Sequence, residues 1–157
     1  MKGRTFLSIL AAALWLAGAS NLCAADAALG NWKLNASKSK FSPGPAPKSG
    51  MVKYEAADGG YKRTGETVGA DGKKTGFEYT AKYDGKDYPV TGSEEFDAIA
   101  ITRIDDNTAK ATLKKGGKVV RNAKRSVSKD GKVMTITMSG TNEKGEKINN
   151  VAVYDKQ

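Results

Sequence analysis

From residue 58 to residue 145 the chain is punctuated by short groups that reverse a backbone: Asp58-Gly59-Gly60, Asp71-Gly72, Asp84-Gly85, Asp105-Asp106-Asn107, Gly116-Gly117, Asp130-Gly131 and Lys144-Gly145. Glycine and Asx residues supply the positive φ that tight hairpins demand. The intervals are mostly 11 to 14 residues, room for one strand each, and the longer interval from Gly85 to Asp105 holds two strands with Gly92-Ser93 between them. Strands at such spacing predict an all-β sandwich or barrel built from consecutive antiparallel hairpins.

The segments between the turns carry the matching two-residue period. Phe77, Tyr79, Ala81 and Tyr83 alternate with Glu78, Thr80 and Lys82, and Met134, Ile136 and Met138 alternate with Thr135 and Thr137. In an extended chain this places apolar groups on one face and polar groups on the other. Trp32 with Leu34, Val52 with Tyr54, and Ala109 with Ala111 and Leu113 extend the same inner surface. Strands are expected at 31–35, 50–57, 60–68, 75–83, 87–92, 96–104, 108–115, 118–128, 132–139 and 147–155. An open meander leaves two unpaired edges, and closure into an up-and-down barrel of about 8–10 strands removes them. Closure requires the segment 31–35 to lie beside 148–155. A membrane-spanning barrel is not expected, because the strands carry Lys53, Glu55, Lys62, Glu78, Lys82, Lys110 and Lys124 where an outer apolar band would have to run.

The first 25 residues have another character. Lys2 and Arg4 precede an uncharged run, Phe6 to Ser20, and small residues follow at Ala24 and Ala25. This is the layout of a cleavable secretory signal peptide; the run is too short for a permanent membrane span, which takes about 20 residues. Cleavage is expected after Ala25, with a cut after Ala19 as the alternative. Cys23 invites a lipoprotein reading, but bulky Leu22 stands directly ahead of it, where lipidation sites carry a small residue. The expected organisation is therefore residues 1–25 as signal peptide and 26–157 as one domain, exported to the periplasm or secreted, without a transmembrane segment in the mature chain. Loss of Lys2 and Arg4 takes the 26 basic residues to 24 against 17 acidic ones, so the mature charge is +7. The mature chain would contain neither cysteine nor histidine, which removes disulfides, thiol chemistry and His-ligated metals from consideration. Between Ala36 and Gly50, Pro43, Pro45 and Pro47 exclude a helix and favour an extended strap, expected to cross one barrel end with Phe41 tucked inside as a plug.

Residues at both ends of the domain match known barrels. Gly30-Asn31-Trp32-Lys33-Leu34 resembles the G-x-W-x-L opening strand of lipocalins and intracellular fatty-acid-binding proteins, and Val153-Tyr154-Asp155-Lys156 is similar to the V-Y-E-K ending of the latter. Arg125-Ser126-Val127-Ser128-Lys129-Asp130-Gly131-Lys132 resembles their R-x-L-x-D-G-K hairpin with one residue inserted. The chain thus resembles the lipocalin and fatty-acid-binding-protein (calycin) superfamily, as an exported, bacterial-type relative. The resemblance implies an interior ligand whose carboxylate is held by an arginine of the hairpin strand and an R-x-Y pair in the last strand. Arg125 matches the first and Tyr154 the tyrosine of the second, but Ala152 stands where the pair's arginine would be, so the clamp is incomplete. The strap replaces the helical lid of the fatty-acid-binding proteins. Trp32 to Phe41 also resembles the opening of periplasmic polyisoprenoid-binding barrels, with Lys38 in place of that pattern's histidine.

Arg125 admits three readings from its strand alone, one of them a twist or bulge that separates it from Arg121. Val119, Arg121, Ala123, Arg125 and Val127 share a face. If that face is inward, the arginines need an anion or hydrogen-bond acceptors; if outward, they are solvated. Catalysis finds little support, because the adjacent pairs Glu94-Glu95 and Asp105-Asp106 would point to opposite faces of a strand and form no shared-proton dyad. Calcium-loop and phosphate-cradle patterns are absent from the sequence. The basic run of Lys114, Lys115, Lys118, Arg121, Lys124 and Arg125 has no stacking aromatics near it, since residues 97–153 contain none, so specific nucleic-acid binding is not expected. The leading expectation is a non-enzymatic, cofactor-free and metal-free barrel that binds a small apolar or amphipathic molecule through Trp32, Tyr54, Phe77, Tyr79, Tyr83, Arg125 and Tyr154. The alternative is an envelope structural or interaction protein whose basic surface contacts polyanions or anionic lipid.

Overall fold

The computed structural model describes residues 26–157. The expected signal peptide and Cys23 lie outside the described residues. Ten antiparallel strands follow one another: β1 (Gly30–Leu34), β2 (Ser49–Ala57), β3 (Gly60–Val68), β4 (Lys74–Lys82), β5 (Asp84–Pro89), β6 (Ala98–Asp105), β7 (Thr108–Lys115), β8 (Lys118–Val127), β9 (Val133–Thr141) and β10 (Lys147–Lys156). The one helical element among the described residues is a single 3-10 turn, Ala36–Lys38, capped by the Asn35 side chain. β5 begins earlier than the turn spacing predicts, because Asp84 already pairs with Thr102, and a bulge between Asp84 and Asp87 resets the register.

All ten strands form one sheet in the order β4-β3-β2-β1-β10-β9-β8-β7-β6-β5. The chain ends meet as closure required: Trp32 lies opposite Lys156, Lys33 opposite Asp155 and Leu34 opposite Tyr154. The seam falls elsewhere, between the sequence neighbours β4 and β5. There the two edges touch through a single bridge, in which Glu78 and Thr91 exchange backbone hydrogen bonds of 2.9 and 3.0 Å. Gly92 makes the close approach feasible: its φ is +86°, and a Cβ would stand 2.8 Å from the Gly76 carbonyl oxygen.

The alternation read from sequence is the alternation of the walls. Trp32, Leu34, Val52, Tyr54, Tyr79, Ala81, Ala109, Leu113 and Met134 are buried, while Lys53, Glu55, Glu78, Lys82 and Lys110 face solvent. Up-and-down connectivity gives the barrel two ends. The floor carries the β2–β3, β4–β5, β6–β7 and β8–β9 turns together with residues 26–29. The other end carries the remaining turns and the strap.

The strap differs from the expectation in its course. After an excursion at residues 35–39, Lys40 exchanges backbone hydrogen bonds of 2.8 and 2.7 Å with Val151, and Ser42 accepts one of 2.9 Å from Asn149. Where β1 leaves β10, the strap takes over as its neighbour. It lies along the wall rather than across the opening because the upper half of β10 would otherwise expose unpaired backbone groups. Phe41 packs against the core, half-buried.

Candidate functional site

The inward side chains leave a cavity of about 180 Å³. Phe41, Tyr54, Tyr61, Phe77, Tyr79 and Tyr154 supply its aromatic lining, and Ile99, Ile101, Leu113, Ile136 and Met138 its aliphatic lining. Two arginines, Arg63 on β3 and Arg125 on β8, bring charge into this apolar space. A buried guanidinium is costly unless its charge and its donors are matched, and the two are treated very differently.

The charge of Arg125 is matched from within the chain, although its buried Nε finds no acceptor. Its Nη2 donates to the Tyr83 hydroxyl at 2.5 Å and lies 3.6 Å from Asp26 Oδ1, while Tyr83 donates in turn to the other Asp26 oxygen. Arg103 adds an ion pair to Asp26 at 3.2 Å and covers the Tyr83 ring at 4.3 Å. The Arg125 guanidinium also sits 4.9 Å from the ring centres of both Tyr54 and Tyr61. Burial by itself works to lower the Arg125 pKa, and the surrounding tyrosine oxygens and Asp26 outweigh it, so the net direction is upward. Burial also raises the pKa values of Tyr61 and Tyr83 and keeps those phenols neutral, so among the described residues Asp26 is the one acidic side chain within 4 Å of Arg125. The outward, solvated reading of this strand face is thereby replaced: Arg121 is 6% exposed and Arg125 presents only 11% of its side chain. Arg121 is paired with Glu95, so that acidic residue is not simply a solvated turn group.

Arg63 is matched differently. It is 8% exposed, its Nη1 donates to the Phe77 carbonyl at 2.8 Å, and its guanidinium lies 3.7 Å over the Phe77 ring. No carboxylate pairs with it among the described residues. Gly65 makes room for the group, since a Cβ there would stand 2.7 Å from Nη2. Arg63, Thr67, Phe77 and Met138 also border a groove of about 630 Å³ at the strap end, lined further by Lys73, Lys74 and the 92–96 turn. Arg63 therefore stands at the junction of the inner cavity and its mouth.

Of the seven residues expected to contact a ligand, Tyr54, Phe77, Tyr79, Arg125 and Tyr154 line the cavity. Trp32 and Tyr83 stand outside that lining. Trp32 is wholly buried in the floor and donates from Nε1 to the Ala28 carbonyl at 2.7 Å, and Tyr83 belongs to the Asp26 network. Sequence reading missed Tyr61 and Arg63, although the phase of β3 offered them: Tyr61, Arg63, Gly65 and Thr67 alternate on one face. It also missed Asp26, for which no local signal exists. Among the described residues there is no cluster of three or more acidic, cysteine or histidine side chains able to hold a metal, and no helix long and apolar enough to cross a membrane.

This architecture is an antiparallel up-and-down β-barrel of ten strands, closed except at the β4–β5 seam. Among solved structures the chain is similar to a redesigned β-barrel bound to DFHBI, with 11% identity, 83% of this chain and 95% of the other covered, and a TM-score of 0.50. A zebrafish ileal bile acid-binding protein complexed with cholic acid aligns at 12% identity over 83% of this chain and 99% of its own, with a TM-score of 0.48. No protein-family model and no curated protein sequence matches the chain.

Proposed function

We propose that the chain is an exported binding barrel that holds one small amphipathic molecule in its interior. The observation that carries this reading is the cavity itself, an apolar space lined by six aromatic rings and left unfilled by a sheet that is otherwise packed. Its volume sets the scale of the guest. Cavities near 150 Å³ accept a benzene-sized molecule, whereas drug-sized pockets run from about 300 to 1,000 Å³. A chain or ring of roughly ten heavy atoms fits that range, with any longer portion reaching through the mouth groove. Binding rather than catalysis is favoured because the lining holds tyrosines kept protonated by burial and arginines, and no group suited to act as a general base near pH 7. Export rests on the residue pattern of positions 1–25.

The surface reading, contact with polyanions or anionic lipid, draws less from the geometry. In the basic run, Lys114 is paired with Asp87, Lys115 donates to the Glu94 carbonyl, and Arg121 and Arg125 are paired inside, so only Lys118 and Lys124 stay free of such partners among the described residues.

Isothermal titration calorimetry with straight-chain acids and alcohols of six to twelve carbons tests the reading. Tryptophan fluorescence is the poorer probe, since Trp32 lies in the floor outside the lining. Saturable one-to-one binding with an optimum in chain length is expected. Absence of heat across the whole series would remove the interior-ligand reading.

A further inference from the structure

We infer that Arg63, not Arg125, is the anion anchor of the cavity, so that a bound amphipath lies with its acidic head at the strap-end mouth and its apolar part pointing toward the floor. The inference rests on the interior-ligand reading above and specifies its ligand class, a compact monoanionic amphipath.

The two interior arginines differ in what already satisfies them. An ionic interaction in a low-dielectric interior is strong, and each guanidinium requires an opposite charge or a full set of acceptors. The chain's own Asp26, positioned by Tyr83 and Arg103, neutralises Arg125. An incoming carboxylate there would meet a fixed negative charge held 3.6 Å from the same guanidinium. Arg63 has the Phe77 carbonyl and the face of an aromatic ring, and no carboxylate within 4 Å among the described residues, while the mouth groove it borders also carries Glu94, Glu143 and the Glu95–Arg121 pair. Its burial is more than nine-tenths complete, and it lines both the inner cavity and the mouth groove. A carboxylate, sulfonate or phosphate monoester placed beside it would complete a charge-assisted pair that the chain leaves open.

Gly65 is part of the same device. A Cβ at that position would come within 2.7 to 2.9 Å of three guanidinium atoms, so the glycine is the space in which the anchor rests. Arg63 also acts on Tyr154, where it pulls the phenol pKa down against the larger upward effect of burial, so the two groups share one region of the cavity.

The test compares octanoate with 1-octanol, which share an apolar chain and differ in the charged head. Calorimetry on the purified wild-type protein should give at least tenfold tighter binding of octanoate, a difference of about 1.4 kcal/mol. Arg63→Met should abolish that preference, bringing the octanoate and octanol affinities within about twofold of each other, and Gly65→Ala, which displaces the guanidinium without removing it, should reduce the preference in the same direction. Should Arg63→Met fold poorly, Gly65→Ala and Arg63→Lys carry the comparison. If octanol and octanoate bind the wild type equally, or if the preference survives in Arg63→Met, the anchor assignment is overturned while the binding barrel stands. If neither probe binds, both readings fall together.

Discussion

The floor and the mouth of this barrel each contain a buried arginine stacked on aromatic rings, and they solve the problem of its charge in opposite ways. At the floor, Arg125 is tied to Asp26 through Tyr83 and shares that carboxylate with Arg103. At the mouth, Arg63 rests on Phe77 and on one carbonyl oxygen. The floor is a network whose charge is balanced, with Asp26 of the segment before β1 as the counter-ion, although the buried Arg125 Nε still finds no acceptor. At the mouth no carboxylate among the described residues lies within 4 Å of Arg63, and that open charge is what the proposed ligand would meet. What an arginine does inside a barrel is thus decided by its partners rather than by its burial.

The sharpest way to break this comparison is to remove the charge that distinguishes the ends. Asp26→Ala leaves Arg125 buried without its counter-ion, and loss of one member of a buried pair typically costs about 3–5 kcal/mol. Urea denaturation should show a lowered midpoint; an unchanged midpoint would mean that Asp26 is not what satisfies Arg125.

A second effect is read from pH. Burial raises the pKa values of Tyr61, Tyr79 and Tyr154 above the ordinary tyrosine value of 10.0. The folded chain then keeps phenolic protons that the unfolded chain releases, so stability holds below about pH 10 and falls as pH rises through it. At pH 11 the loss is roughly 1.4 kcal/mol for each fully protected tyrosine. Denaturation midpoints between pH 8 and 11 check this, and a flat profile would place these phenols in contact with water.

The smallest effect is expected at the mouth. Arg63→Met removes a charge that no carboxylate balances and leaves only the Phe77 carbonyl without its donor, so the stability change should stay within about 1 kcal/mol. A loss as large as that of Asp26→Ala would make Arg63 a structural residue like Arg125 and erase the distinction between the ends.

The wall of the barrel was legible in the sequence because it rests on local rules. Turn glycines fix where the chain reverses, and the two-residue period fixes which side chains enter, so Tyr54, Phe77, Tyr79 and Tyr154 could be placed inside without a structure. The pairing of β1 with β10 followed from the need to cover edges. The seam between β4 and β5 did not follow, because adjacent strands ordinarily pair, whereas here β5 pairs with β6 through a bulge after Asp84 and meets β4 only at the bridge that the Gly76–Gly92 approach permits. Arg63 was available from the phase of β3, yet its importance depends on the absence of a carboxylate nearby, which is a fact of three-dimensional neighbours. The reverse holds for Arg125. Its motif singled it out, but the motif gives no hint that Asp26, 99 positions earlier in the chain, occupies its charge.

Arginine side-chain NMR tests the contrast most directly. With the Nε–Hε resonances assigned and octanoate titrated into the wild-type protein, the Arg63 signal should shift saturably with the calorimetric affinity, and the Arg125 signal should stay where it was. A saturable shift of Arg125 with Arg63 unmoved would contradict it, placing the acidic head at the floor and making Asp26 a group that the ligand displaces.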